Sequence, residues 1–157
     1  MQHIQIIAVG KLKERFWSDA CAEYLKRLKP YAQVAIVEVA DVDPGKVGGE
    51  AKAIEAESDA ILRTLKEGAY VILLDIDGKL VTSEGMASDL EALALNGKSD
   101  IAFIIGGSCG VDERVRKRAD ARWSLGRITL PHNLARVVIL EQIYRAYKIQ
   151  RHEPYHK

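Results

Sequence analysis

Apolar residues alternate and cluster from His3 to Val9 before Gly10 interrupts them, a pattern that predicts an opening β-strand. From Glu14 to Lys29 the spacing changes. Phe16, Trp17, Ala20, Cys21, Tyr24, Leu25 and Leu28 recur three and four residues apart, predicting an amphipathic helix that Pro30 ends and that carries Cys21 on its core side. Gln33 to Val39 is a second β-rich run, and the turn formers from Asp41 to Gly49 are expected to make a mobile loop. Glu50 to Glu67, with Ile54, Ile61 and Leu65 on one side, predicts a second helix closed by Gly68.

Tyr70 to Leu74 is continuously apolar and ends at Asp75, as expected of a buried parallel strand whose C-terminal end opens onto a site. Thr82-Ser83 can cap a helix that runs to Leu95 and closes at Asn96-Gly97. Ile101 to Ile105 predicts another buried strand, Asp112 to Ala119 a short helix, and Trp123 to Leu130 a strand or extended loop. A last helix is expected from about Leu134 to Gln150, with Asn133 as its cap. Strands alternating with helices predict an α/β fold, a largely parallel sheet flanked by helices, and the 157 residues fit one domain.

A 48% hydrophobic and 29% charged composition excludes a disordered chain, and no apolar run is long enough to span a membrane. The first residues lack the basic and apolar regions of a signal peptide, which predicts a cytoplasmic protein. Cys21 and Cys109 have no metal-type spacing, so neither a metal site nor a disulfide is expected. Net charge is only +1, yet it is unevenly placed: residues 1–109 hold 12 Lys and Arg against 17 Asp and Glu, residues 110–157 hold 11 against 5. Arg114, Arg116, Lys117, Arg118, Arg122 and Arg127 are dense enough to meet phosphates, or simply form a solvated face.

The basic part also holds the unusual motifs. Gly106-Gly107-Ser108-Cys109-Gly110 follows a buried strand and precedes a helix, the position at which doubly wound folds bind nucleotides. Its GGxxG spacing matches neither the dinucleotide fingerprint nor the P-loop, so a cofactor without phosphates fits better, and S-adenosylmethionine is one. The bland alternative is a tight strand-to-helix turn. Arg136 lies in the first turn of the last helix, where a cation opposes the helix dipole; it calls for an anionic partner, either an RNA phosphate, a cofactor carboxylate or an ordinary ion pair. That helix is apolar on several sides, Leu134, Val137 and Val138 on one and Ile139, Leu140, Ile143 and Tyr147 on others, which suggests a subunit interface. Glu141 and Arg145 stand four apart and can pair with each other.

These blocks, together with Ile6-Ile7-Ala8-Val9-Gly10-Lys11, Leu74-Asp75-Ile76-Asp77-Gly78-Lys79, Trp123-Ser124-Leu125, Thr129-Leu130-Pro131-His132, Tyr144-Arg145-Ala146 and the tail His152-Glu153-Pro154-Tyr155-His156-Lys157, resemble one family over nearly the whole chain. It is that of the large-subunit rRNA pseudouridine methyltransferases, small SPOUT-type enzymes that methylate ring nitrogen 3 of a pseudouridine in 23S rRNA. The resemblance implies a SPOUT domain over residues 1–157, a deep C-terminal trefoil knot, an obligate homodimer, and the 70S ribosome as substrate. It places S-adenosylmethionine against Leu74, Gly106 and the stretch Leu125, Gly126, Arg127, Ile128, Thr129 and Leu130. The tail matches the family's HxPYHK motif and implies substrate contact near the transferred methyl.

An acidic ring N–H must lose its proton during methyl transfer. His156 and Tyr155 are the candidates to bind the base and assist that loss, with Arg145 and Arg136 set to hold phosphate or the developing anion, and His132 and His152 as further substrate contacts. Two other readings stand beside this one. A ribosome-docking protein without catalysis is disfavoured by the intact Tyr155-His156 and glycines, and a domain for another nucleotide by the missing phosphate loop.

Overall fold

In the computed structural model, which describes residues 1–157, five strands form one sheet in the order β2-β1-β4-β3-β5. β1 (Gln2–Val9), β2 (Ala32–Val39), β3 (Tyr70–Leu80), β4 (Asp100–Ile105) and β5 (Ala121–Ser124) all pair in parallel. The helices are α1 (Arg15–Leu28), α2 (Pro44–Val47), α3 (Glu50–Thr64), α4 (Ser83–Leu95), α5 (Glu113–Arg118) and α6 (His132–Gln150). Alternate residues of the central strands β1, β3 and β4 feed two cores. Ile4, Ile6, Ala8, Ile101 and Phe103 pack with Cys21 of α1, Leu90 of α4 and Ile139 of α6, while Ile7, Val9 and Ile104 pack with Ile61 of α3 and Val115 of α5. Covering on both faces is why the central strands read as unbroken apolar runs.

Helix ends follow local chemistry. Thr82 caps α4 by accepting from the Gly85 N–H at 2.9 Å, and Asp112 caps α5 by accepting from the N–H groups of Arg114 and Val115. Four boundaries differ from the sequence-based expectation. The expected mobile loop contains α2, because Asp43 accepts from the Gly45 N–H at 2.9 Å and Pro44 supplies a helical φ. β3 continues past Asp75 to Leu80 across a register shift between Leu74 and Lys79 against β5, an irregularity that breaks the apolar pattern. β5 starts earlier than expected and stops at Ser124, leaving residues 125–131 as loop. α6 starts at His132 with Pro131 as its cap, so Asn133 is already inside the helix.

With every strand parallel, the C-terminal ends of β1, β3, β4 and β5 reach the same edge of the sheet. Loops gather there, as they do where α/β folds bind ligands.

Candidate active site

At that edge lies a cavity of about 610 Å³, walled by Leu74 and Asp75 of β3, the loop Gly106–Gly110 after β4, the loop from Leu125 to Pro131, and His132 of α6. Buried Ser124 shapes the second loop: its hydroxyl donates to the Gly126 carbonyl at 3.0 Å and accepts from the Gly126 N–H at 3.3 Å. Gly106 stands in a tight place: a Cβ there would lie 3.1 Å from Val111 Cγ1, so a side chain fits only if Val111 gives way. The charges on the wall are already compensated. Asp75 pairs with Arg122 at 3.4 Å, and Arg116 pairs with Glu113 at 3.1 Å while donating to the Val111 carbonyl at 2.6 Å. No free cation therefore waits for a phosphate. His132 lines the cavity, and its Nδ1 is buried without a hydrogen-bond partner.

A second constellation gathers the tail against α6 and α4. Arg145 holds Glu141 through two donors, at 2.9 and 2.5 Å, stacks its guanidinium 4.7 Å from the centre of the Tyr155 ring, and donates to His156 Nδ1 at 3.2 Å. Because arginine only donates, His156 Nδ1 must accept; the ring proton then sits on Nε2 and is donated to Glu84 at 2.7 Å. Its own backbone N–H first, and His156 second, hold the Glu84 carboxyl below its ordinary range. Burial chiefly, with the Glu141 carboxylate, pushes the Tyr155 phenol up to about 12, so at neutral pH it keeps its proton and donates to Glu141 at 3.2 Å. Glu153 clamps the tail's root, accepting from Tyr31 Oη at 2.7 Å and from Lys148 Nζ at 2.8 Å. His152 is exposed and left-handed, with φ of 54°.

Residues 2–156, nearly the whole chain, match the family described as Predicted SPOUT methyltransferase. The chain belongs to the SPOUT methyltransferase family. Among its relatives, a Listeria monocytogenes protein is 51% identical over 158 residues and a Pelotomaculum thermopropionicum protein 49% identical over 160 residues, each alignment covering 99% of both chains. Both relatives carry the name Ribosomal RNA large subunit methyltransferase H. Among solved structures, a probable methyltransferase from Bordetella pertussis Tohama I shares the fold with a TM-score of 0.60 at 12% identity, covering 92% of this chain and 96% of that one. A Legionella pneumophila methyltransferase solved with bound SAM has a TM-score of 0.51 at 15% identity, over 93% of this chain and 66% of the other.

In this SPOUT domain the residues singled out for the cofactor largely converge: Leu74, Gly106, Leu125, Gly126, Ile128, Thr129 and Leu130 line the cavity, and exposed Arg127 does not. His132 joins them. Arg136 goes elsewhere; it is 1% exposed, bound to Glu38 at 2.6 Å and to the Gly10 carbonyl at 3.2 Å. With α6 beginning at His132, Arg136 lies beyond the first turn expected of it; its anionic partner is a carboxylate of β2, and no RNA phosphate can touch it in this arrangement. The basic cluster is mostly self-compensated as well, with Arg114 on Asp112 and Asp59, Arg116 on Glu113, Arg118 on Asp120 and Arg122 on Asp75. Sequence reasoning gave no role to Ser124, Glu84 or Glu153: Glu84 pairs with His156 and Glu153 with Tyr31, both far along the chain, whereas Ser124 bonds Gly126, only two residues on, in a segment that reads as a strand or extended loop. No helix is long and apolar enough to cross a membrane.

Proposed function

We propose that this chain methylates ring nitrogen 3 of a pseudouridine in 23S rRNA, with S-adenosylmethionine as methyl donor and the assembled 70S ribosome as substrate. The observation that carries the reading is the glycine-walled cavity, which offers backbone and apolar surface but no free cation. Full-length relatives named as rRNA methyltransferases support it. When bound, S-adenosylmethionine supplies a methyl group on a cationic sulfonium, which leaves as a neutral thioether when nitrogen takes the methyl.

In this reading Leu74, Leu125 and Leu130 give the cavity apolar walls, and Gly126, Ile128 and Thr129 contribute backbone donors and acceptors. Positioning for in-line displacement is most of the task. The proton leaves the ring nitrogen as the new bond forms; His156 Nδ1, the lone pair now held by Arg145, is the group to receive it. Arg145 then faces the developing pyrimidine anion, and Tyr155, fixed as a donor, orients the base. His152 adds an exposed contact to the RNA.

The two constellations are far apart in one chain. Arg145 lies 13 residues beyond His132 on the same helix, about 20 Å along its axis, and no tail residue lines the cavity. A homodimer with α6 at the interface brings the tail of one protomer to the cavity of its partner, and it uses the apolar residues that α6 distributes over several sides. The cytoplasm, where ribosomes are assembled, is the matching compartment.

Titration of the pure protein separates this reading from its nucleotide-binding alternative. S-adenosylmethionine is expected to bind with micromolar affinity and ATP not measurably, because three phosphates would meet only compensated charges. Tight ATP binding in calorimetry, without S-adenosylmethionine binding, would overturn it.

A further inference from the structure

Behind the glycine loop sits a charge that no part of the methyl-transfer reading uses. Glu57, on α3, is only 5% exposed. One of its oxygens, Oε2, accepts from the Val42 N–H at 2.9 Å, and no lysine, arginine or histidine pairs with it. The other oxygen, Oε1, lies so close behind Gly107 that a Cβ on that residue would come within 2.8 Å of it. Gly107 in turn lines the cavity. Next along α3, the fully buried Ser58 hydroxyl accepts from the Asp112 N–H at 3.0 Å, so the same helix turn fixes the far end of the loop.

A buried carboxylate is costly to keep without a cation. A hydrogen bond from one backbone N–H offsets part of that cost. The other charges around the cavity are spent on each other, Asp75 on Arg122 and Arg116 on Glu113, which leaves Glu57 as the uncompensated negative charge beside it. Only the backbone of a residue without a side chain separates it from the space a ligand would fill.

We propose that Glu57 is a specificity-determining residue: its carboxylate, held against the back of Gly107, favours a cationic ligand in the cavity over a neutral one of the same shape. The inference rests on the reading of the cavity as the S-adenosylmethionine site. There, the cation is the sulfonium and the neutral counterpart is S-adenosylhomocysteine, the demethylated product. A unit charge several ångströms away, across partly solvated protein, shifts affinity by about five- to tenfold. The charge therefore binds the methyl donor and releases the spent product, relieving product inhibition. It also explains why the loop has glycine at 107, since any side chain would push the carboxylate away.

The test is the ratio of two affinities. Glu57→Gln keeps the shape and an oxygen for the Val42 N–H but removes the charge. By calorimetry, S-adenosylmethionine is expected to bind about five- to tenfold more weakly to it, with S-adenosylhomocysteine within about twofold of wild type. Equal losses for both ligands, or no change in either, would overturn the proposal, since a merely structural residue would affect the two alike. Glu57→Asp keeps the charge while shortening the side chain, so it should preserve the wild-type ratio even where both affinities fall; a ratio collapsed toward that of a neutral site would equally overturn it. That second variant decides the matter if Glu57→Gln does not fold. Failure of the wild-type protein to bind either ligand would instead count against the cofactor reading itself.

Discussion

Gly106→Val is expected to abolish S-adenosylmethionine binding, lowering affinity by about a hundredfold or more while leaving the protein folded. The bare Cβ would already stand 3.1 Å from Val111 Cγ1 and 3.5 Å from the Gly110 carbonyl carbon, and valine adds two methyl groups to it. Those groups must displace Val111 or enter the cavity. Overpacking of this kind costs about 1–3 kcal/mol, and loss of the space a ligand needs adds to it; every ~1.4 kcal/mol is a tenfold change in affinity. The loop lies at the surface edge of the sheet, away from the buried faces of β4, so the melting temperature should fall by only a few degrees. Calorimetry showing wild-type affinity in this variant would place the cofactor elsewhere.

The second large effect is a recovery. A Gly106→Val subunit and a His156→Ala subunit, each inactive as its own homodimer, are expected to regain up to about half of wild-type activity when co-purified as a heterodimer. If the tail of one protomer completes the cavity of its partner, one composite site in that heterodimer combines an intact Gly106 with an intact His156. With sites built within one chain, each site would keep one lesion. Activity staying at the level of the parent variants would contradict the shared site. The length of α6 is the reason to expect recovery, because it holds His132 and Arg145 at opposite parts of one rigid rod.

How much of this was legible in the sequence depended on whether the signal was local. Strands such as Ile101–Ile105 announced themselves because helices cover both faces of the sheet and demand apolar residues at every position. Thr82 and Asp112 were readable caps. The glycine loop was also local, and its failure to match any phosphate motif agrees with a wall that offers no free cation.

Long-range pairings were not legible. Arg136, buried in the fold, needed an anion, but the partner is Glu38, 98 residues away, and no pattern in the chain connects them. The arginines from 114 to 122 looked like a phosphate surface, although Asp112, Glu113 and Asp120 lie beside them in the chain; the other two carboxylates that pair with them, Asp59 and Asp75, come from other elements. β3 read too short because its register shift against β5 interrupts the apolar run. The knot came only with the family resemblance, since threading is a property of the whole path and general connection rules disfavour it.

Methyl incorporation into ribosomes tests the central claim most directly. The wild-type protein, labelled S-adenosylmethionine and ribosomes that lack the modification should yield one labelled nucleoside, N3-methylpseudouridine, recovered from 23S rRNA of the 70S particle. Protein-free 23S rRNA should take up far less label. No label in either substrate, or label on a different base or in another RNA, would contradict the function proposed for this chain.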